Sequence, residues 1–293
     1  MNPVPVIGRF APSPTGDLHF GSLVSAVGSY LEAKCVGGAW LLRIEDIDPP
    51  REIAGSANRI IDDLNKLGLV PDGPVLYQSS RSAAYQAVVE QLLSSGLAYP
   101  CGCSRKDLSD SGRYAGTCRN GIAPGKKPRS IRFRVDDDDF TFYDRLQGMV
   151  SDSPADASGD FIIRRADGLF AYQLAVAVDD HFQGITQVVR GADLLESTSR
   201  QICLQKALGY VTPEYMHLPV AVFPDGKKMS KRTRTDPVTD QEPVTAVRMA
   251  LQFLGQHPPA GMSLKDLWAW AIQHWDNKLV PPARAILPGS KLS

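Results

Sequence analysis

An α/β fold built around a parallel sheet is what this sequence predicts, on three observations. A short apolar run at Val6 to Phe10, a break at Ala11 to Gly16, a helical pattern from Asp17 and a second apolar run at Ala39 to Ile44 make a strand–loop–helix–strand unit. Such a unit sets its two strands parallel, with a helix covering them. The same alternation returns late in the chain, with Val188 and Val189, a helix over Leu194 to Leu208 and a strand over His217 to Phe223. A hydrophobic fraction of 43% against 22% charged residues belongs to a chain that folds around a core.

Each element has its own signal. Val6 to Phe10 reads as a buried strand that stops where Pro12 and Pro14 cannot continue it. In the helix that follows, Leu18, Leu23, Val24, Val27, Tyr30 and Leu31 recur at helical spacing. Gly37 and Gly38 end it, and Ala39 to Ile44 is bounded beyond by Glu45 and Asp46. Helical patterns continue over Ala54 to Leu67 and Ser82 to Ser95. Tyr99 to Pro128 is irregular, holds three of the five cysteines and reads as an insertion. Ser130 to Val135, Phe140 to Tyr143 and Phe161 to Arg165 look like short antiparallel strands, after which Leu169 to Val178 resumes the apolar core. Helices near Val244 to Leu254 and Leu264 to Trp275 close the chain ahead of a Pro-rich tail.

The bulk properties exclude some classes. Met1 to Phe10 has no basic stretch followed by an apolar one, and no apolar run approaches the ~18 residues of a membrane span. A cytoplasmic protein is expected, with its cysteines reduced. Cys35 and Cys203 stand in apolar helical patterns and are read as core packing. A formal charge of zero does not suggest nonspecific binding to a phosphate backbone. The local basic run of Lys126, Lys127, Arg129, Arg132 and Arg134, followed by Asp136 to Asp139, is read as a solvated strand and its turn.

Two motifs carry chemistry. The first runs Arg9-Phe10-Ala11-Pro12-Ser13-Pro14-Thr15-Gly16-Asp17-Leu18-His19-Phe20-Gly21-Ser22. A glycine-containing loop between a strand and a helix aims backbone N–H groups and the positive helix end at a phosphate. His19, placed in the first helical turn, can reach the same phosphates, and Gly21 allows a nucleotide close to the backbone. The second is Lys228-Met229-Ser230-Lys231-Arg232 after the turn Pro224-Asp225-Gly226. Its lysines can neutralise charge developing on an α-phosphate and a leaving pyrophosphate.

Together these motifs resemble the two signatures of class I aminoacyl-tRNA synthetases, His-Ile-Gly-His and Lys-Met-Ser-Lys-Ser, with Ser22 in place of the second histidine. The wording of Arg9 to Gly16, of Leu42-Arg43-Ile44-Glu45-Asp46-Ile47-Asp48 and of Val189-Arg190-Gly191-Ala192-Asp193-Leu194 resembles the glutamyl-tRNA synthetase branch. That resemblance implies a Rossmann-like parallel-sheet catalytic domain with an inserted subdomain and a short helical C-terminal region. It also implies catalytic roles for His19 and Lys231. ATP would meet Pro12, Gly16, His19, Gly21, Ser22 and Lys228, Met229, Ser230 and Lys231. Glutamate would meet Arg9, Ala11, Ser13, Glu45, Tyr172 and Arg190. The chemistry agrees: arginine forks take a carboxylate at two points, and Glu45 can accept from an α-ammonium group.

The expected division is residues 1–98 and 166–235 as the two halves of the catalytic domain, 99–165 as the insert and 236–293 as a helical segment. Too little chain follows Lys231 for an anticodon-reading domain of ~100–150 residues. The resemblance is therefore to the truncated family of the branch, the glutamyl-Q tRNA(Asp) synthetases. It implies a monomer that activates L-glutamate with ATP and Mg2+ and transfers it to the queuosine base at the first anticodon position of tRNA(Asp). Three alternatives stay open on the residues alone. They are a short synthetase charging a tRNA 3′ end, a silent RNA-binding paralogue, and a ligase acting on a small molecule.

The third constellation is Cys101-Gly102-Cys103, Tyr114 and Cys118. Three thiolates in a reducing compartment can hold tetrahedral zinc. The residues leave the fourth ligand open, and the resemblance supplies Tyr114, making one structural zinc per chain.

Overall fold

The structure, a computed structural model, describes residues 5–108, 113–135, 140–225 and 241–288. The second motif, Lys228 to Arg232, and Asp136 to Asp139 lie outside the described residues. In chain order the first half holds β1 (Ile7–Phe10), α1 (Phe20–Lys34), β2 (Ala39–Ile44), α2 (Ser56–Lys66), β3 (Leu76–Tyr77) and α3 (Ser82–Ser94). Then come β4 (Ala98–Cys101), β5 (Ser130–Phe133), β6 (Phe140–Asp144), β7 (Gly148–Asp152), α4 (Pro154–Ala157) and β8 (Ile162–Arg164). The second half holds α5 (Tyr172–Phe182), β9 (Gln187–Gly191), α6 (Leu195–Leu208), β10 (Glu214–Leu218) and β11 (Val220–Ala221). The chain closes with α7 (Pro243–Phe253), α8 (Leu264–His274) and β12 (Ala285–Ile286).

The strands β1, β2 and β3 pair in that order and all run parallel. A second sheet runs β7-β6-β10-β9, with β9, β10 and β6 parallel and β7 an antiparallel edge. Their inner edges meet just before β9, where Thr186 N donates to Ile7 O at 3.0 Å and Ile7 N donates to Thr186 Oγ1 at 2.9 Å. The chain thus winds outward from β1 in one direction and from β9 in the other. The crevice beyond the carboxyl ends of β1 and β9 is the switch point at which such sheets bind ligands.

Helix α1 forms because Leu23, Val24, Val27 and Leu31 stand on one buried stripe. It packs against β1, β2, α7 and α8, and the aromatic contacts Phe20–Phe253 and Tyr30–Trp268 join it to the C-terminal helices. At Gly28 a Cβ would come within 2.5 Å of Leu218 Cδ1, so a glycine lets α1 lie close on β10. The opposite face is closed by α3, α5 and α6, whose Val89, Leu92, Leu174, Val178 and Leu204 pack with Phe133 and Ile163.

Several expectations change. His19 is the N-cap of α1 rather than part of its first turn, and the helix begins at Phe20. The strand expected over His217 to Phe223 begins at Glu214 and breaks at Pro219, which has no N–H for a ladder. The three strands expected to be antiparallel together divide: β5 and β8 pair with β4 in a sheet of their own, while β6 crosses to pair parallel with β10. Its alternating exposure suits an edge hairpin as well as an insert strand, so the pattern alone could not choose. Cys35 is exposed at the C-cap of α1, one residue beyond the end of the helix, while Cys203 is buried as expected. Arg132 is not solvated but 6% exposed, drawn in by Cys101 and Tyr114.

Candidate active site

At the switch point lies a cleft of about 790 Å³. Its walls include Arg9, Ala11, Pro12, Ser13, His19, Gly21, Ser22, Glu45, Tyr172 and Arg190, brought together from β1, the following loop, α1, β2, α5 and β9. Gly16 is not among the lining residues. Its backbone is tied to the start of α2, with its N donating to Ser56 Oγ at 3.2 Å and its O accepting from the same hydroxyl at 2.6 Å.

The loop between β1 and α1 is pinned from outside. Glu45 N donates to Pro12 O at 3.0 Å and Ile53 N donates to Pro14 O at 2.9 Å. At its end His19 Nδ1 accepts from Ser22 N at 3.2 Å, and the Ser22 hydroxyl stands 3.0 Å from Nε2. The imidazole is folded over the helix end, where an anion is favoured by the exposed N–H groups.

Charge is concentrated on the β1–β2 wall. Arg9 Nε meets Asp180 Oδ1 at 3.1 Å, and Arg43 Nη2 meets the same oxygen at 2.8 Å. Burial opposes ionising Asp180, but the two guanidinium groups overcome it and hold the carboxyl below its ordinary range. Glu45 sits 3.8 Å from Arg43. There burial wins over the attraction of Arg43 and Arg9 and pushes the carboxyl up to about 7. The preceding residue of α5, Asp179, accepts from Tyr85 Oη, Gln78 Nε2 and Arg81 Nε, so neighbouring acids brace different sides of the helix.

On the β9–β10 wall, Arg190 is 5% exposed. Its Nε donates to His217 Nε2 at 3.0 Å, Nη2 to Thr198 Oγ1 at 2.9 Å and Nη1 to Tyr172 Oη at 3.4 Å. Behind it His217 Nδ1 pairs with Asp144 Oδ2 at 2.6 Å.

Sequence reasoning brought Arg9, Ser13, Glu45, Tyr172 and Arg190 to one cleft but missed Arg43, Asp180, Asp144, Thr198 and His217. A signal existed for two of them. Arg43 falls inside an apolar strand and shares a face with Glu45, and His217 falls inside another; a polar group buried there needs a partner.

In the insert, the Sγ atoms of Cys101, Cys103 and Cys118 lie within 4.8 Å of one another, Cys103 and Cys118 at 3.6 Å. Tyr114 Oη is 3.4 Å from Cys101 Sγ and 3.9 Å from Cys103 Sγ. Tetrahedral zinc with Zn–S near ~2.3 Å sets sulfurs roughly 3.8 Å apart, so these donors fit such an ion with little movement. Gly159 holds Tyr114 there: its φ is +64° and a Cβ would come within 2.1 Å of Tyr114 O.

The cleft thus lies at the switch point of a doubly wound sheet, between a strand-to-helix loop, two buried arginines and a buried glutamate, and the comparisons give its class as a class I synthetase catalytic domain. The family model for class I tRNA synthetases (E and Q), catalytic domain, matches residues 5–250. Solved glutamate-tRNA synthetases from Elizabethkingia anophelis and Elizabethkingia meningosepticum, the second in complex with its amino acid, share 29% identity and superpose with a TM-score of 0.78. They cover 96% of this chain, which spans 67% and 66% of theirs. A glutamyl-Q tRNA(Asp) synthetase from Dechloromonas aromatica is 51% identical over 97% of this chain and 98% of its own. One from Pseudomonas aeruginosa is 50% identical over 98% of each. The chain belongs to the glutamyl-Q tRNA(Asp) synthetase family, a ligase family of the aminoacyl-tRNA synthetase type. No helix among the described residues is long and apolar enough to cross a membrane.

Proposed function

We propose that the protein activates L-glutamate with ATP and transfers the glutamyl group to the queuosine base at the first anticodon position of tRNA(Asp). The observation that carries the activation step is the convergence of Arg9, Glu45, Tyr172 and Arg190 on one cleft whose other end is the His19–Ser22 helix start. The acceptor is the one that the relatives' names give.

In this reading Arg190 and Tyr172 take the side-chain carboxylate of glutamate, Arg9 supports the same charge, and Glu45 takes the α-ammonium. Ala11 and Ser13 flank the backbone end. ATP extends over Pro12 and Gly21 toward His19 and Ser22, with Lys228, Met229, Ser230 and Lys231 completing the phosphate site. The α-carboxylate oxygen attacks the α-phosphorus in line, the bond to the bridging oxygen breaks, and pyrophosphate leaves with its electron pair. No protein nucleophile is needed; the side chains position groups and stabilise charge. Mg2+ accompanying ATP would offset phosphate charge. A hydroxyl of the queuosine cyclopentenediol then attacks the adenylate carbonyl, loses its proton, and AMP departs.

Residues 99–165 form the insert between catalytic halves 1–98 and 166–235, followed by the helical segment 236–293. A zinc ion held by Cys101, Cys103, Cys118 and Tyr114 would cross-link that insert. The protein works as a cytoplasmic monomer.

The test is transfer of labelled glutamate to total tRNA with and without queuosine, followed by nuclease mapping. Label confined to a queuosine-containing anticodon fragment is expected. Label on the 3′ adenosine would mean ordinary aminoacylation instead.

A further inference from the structure

The side chains touching Arg190 are neutral, and the support behind them passes through a single ring to one carboxylate. Asp144 Oδ1 accepts from the backbone N–H groups of Leu146, Gln147 and His217 at 3.0, 2.8 and 3.2 Å. Those contacts fix the carboxylate and leave Oδ2 for His217 Nδ1. Burial, with Arg190 adding to it, holds the His217 ring down at about 4 against the pull of Asp144, so the ring is neutral. Asp144 itself lies below its ordinary range: burial raises it, but the bonds from His217 and Gln147 prevail. An ionised carboxylate facing Nδ1 places the single ring proton there. Nε2 therefore offers a lone pair; Arg190 Nε donates to it at 3.0 Å, and the Thr198 hydroxyl stands 3.2 Å from the same nitrogen.

The consequence for Arg190 can be counted in N–H bonds. Of five, one goes to His217 and two from Nη2 go to Thr198 Oγ1 and Leu194 O. One from Nη1 goes to the Tyr172 hydroxyl. Among the described residues the last Nη1 hydrogen has no protein acceptor, and Tyr172, accepting from Arg190, keeps its own hydrogen to donate. Arg190 and Tyr172 both line the cleft. Two neighbouring donors on the cleft lining suit a carboxylate, whereas a carboxamide presents one acceptor and a nitrogen carrying its own hydrogens.

We propose that His217, fixed as the Nδ1–H tautomer by Asp144, is a positioning residue that locks Arg190 with a donor edge toward the amino acid and so sets the preference for glutamate over glutamine. The proposal rests on the activation of glutamate in this cleft and names what enforces its specificity.

The decisive variant is Asp144→Asn. Because three backbone N–H groups hold the carbonyl oxygen at the Oδ1 position, the amide nitrogen must stand at Oδ2 and donate to Nδ1. The ring proton then moves to Nε2, where it meets Arg190 N–H head on. In glutamate-dependent pyrophosphate exchange, the KM for glutamate rises roughly 10- to 100-fold, the KM for ATP stays within about twofold, and discrimination against glutamine falls in step. His217→Gln puts a carbonyl oxygen near Nε2 that accepts whatever Asp144 becomes. Adding Asp144→Asn to that variant costs less than about threefold. Thr198→Val probes the same cage without touching Asp144 and raises the KM for glutamate roughly tenfold. An unmoved glutamate KM in Asp144→Asn, an equal rise for ATP, or additive losses in the double variant would overturn the role of His217. Absence of glutamate-dependent exchange in the wild-type protein would instead overturn the activation reading beneath it.

Discussion

The two walls of the cleft each present a buried arginine, and they hold it in opposite ways. Arg9, from β1, is paired with a carboxylate, Asp180, which it shares with Arg43. Arg190, from β9, is held by an imidazole, a hydroxyl and a phenol, with the nearest acid of that chain, Asp144, one ring further back. The charge of Arg9 is largely answered inside the protein, and removing its partner leaves two cations buried together. The charge of Arg190 is solvated by neutral dipoles and stays available to a ligand. One wall therefore has its arginines paired with an acid inside the fold, and the other holds an arginine through neutral groups, the one that the proposed reading gives the larger share of the substrate carboxylate.

The strongest way to break that contrast is Asp180→Asn. Leaving Arg9 and Arg43 without their common carboxylate costs about 3–5 kcal/mol, and the urea midpoint should fall accordingly, with kcat/KM for glutamate falling by no more than about tenfold as Arg9 shifts. A midpoint that does not move would mean that the β1 wall does not depend on the ion pair. Arg190→Ala sharpens the other side. It takes a charge-assisted pair from the substrate, so kcat/KM for glutamate should drop roughly 100- to 1000-fold. Its folding cost is smaller, about 1–3 kcal/mol for leaving His217 and Thr198 without their donor. Unfolding and exchange measurements on both variants separate the two walls, because the larger stability loss belongs to one and the larger loss of substrate binding to the other.

That division was only half legible in the sequence. The strand–loop–helix–strand unit could be read directly, since Val6 to Ile44 carries its own turn chemistry and periodicity, and β2 falls on the residues its apolar run marks. The cleft residues could be named because their motifs resemble those of the glutamyl-tRNA synthetase branch, and the fold brings them to the ends of β1, β2 and β9 and the start of α5, where a doubly wound sheet opens. Their supports could not. Asp180 lies 171 residues from Arg9, and Asp144 lies 73 residues from His217; no local pattern pairs residues at such distances. The pairing of β6 with β10 hid Asp144 further, because the alternation of Phe140 to Tyr143 fits an insert strand as well as the edge of the main sheet. Arg132 was misread for a related reason. A basic run looks solvated until the fold supplies Cys101, Asp160 O and the Tyr114 ring as partners.

A smaller effect tests how the β1–β2 wall meets the substrate. Glu45 is raised from 4.5 to about 7, mainly by burial. The folded protein thus binds a proton there that the unfolded chain has already lost between those pH values. Raising the pH through this window weakens the ligand-free protein, because Glu45 is forced to ionise while buried. The α-ammonium of glutamate needs the ionised form and offsets that cost. The KM for glutamate should accordingly be about tenfold higher at pH 6 than at pH 8. In Glu45→Gln the slope should vanish while the KM stays high; a slope that survives would move the titration to another group.

The smallest effect on the cleft is expected from the cysteine cluster, which differs from both walls in holding no part of it. Cys101, Cys103, Cys118 and Tyr114 pack with Tyr99 in a cluster of their own, and none of them lines the cleft. A metal bound to those thiolates stabilises the folded insert by its binding free energy, and stripping it returns that free energy as a lower melting temperature. Chelation should therefore lower the melting temperature and weaken transfer to tRNA while changing pyrophosphate exchange by less than about twofold. Restoration by added zinc, with metal content measured on the purified protein, distinguishes loss of the ion from damage to the thiols. Loss of exchange in parallel with the metal would mean that the insert braces the cleft. Arg132 is where that coupling would run, since its Nε donates to Cys101 Sγ at 3.4 Å and its Nη1 to Asp160 O at 2.6 Å, at the edge of the strand leading to Tyr172.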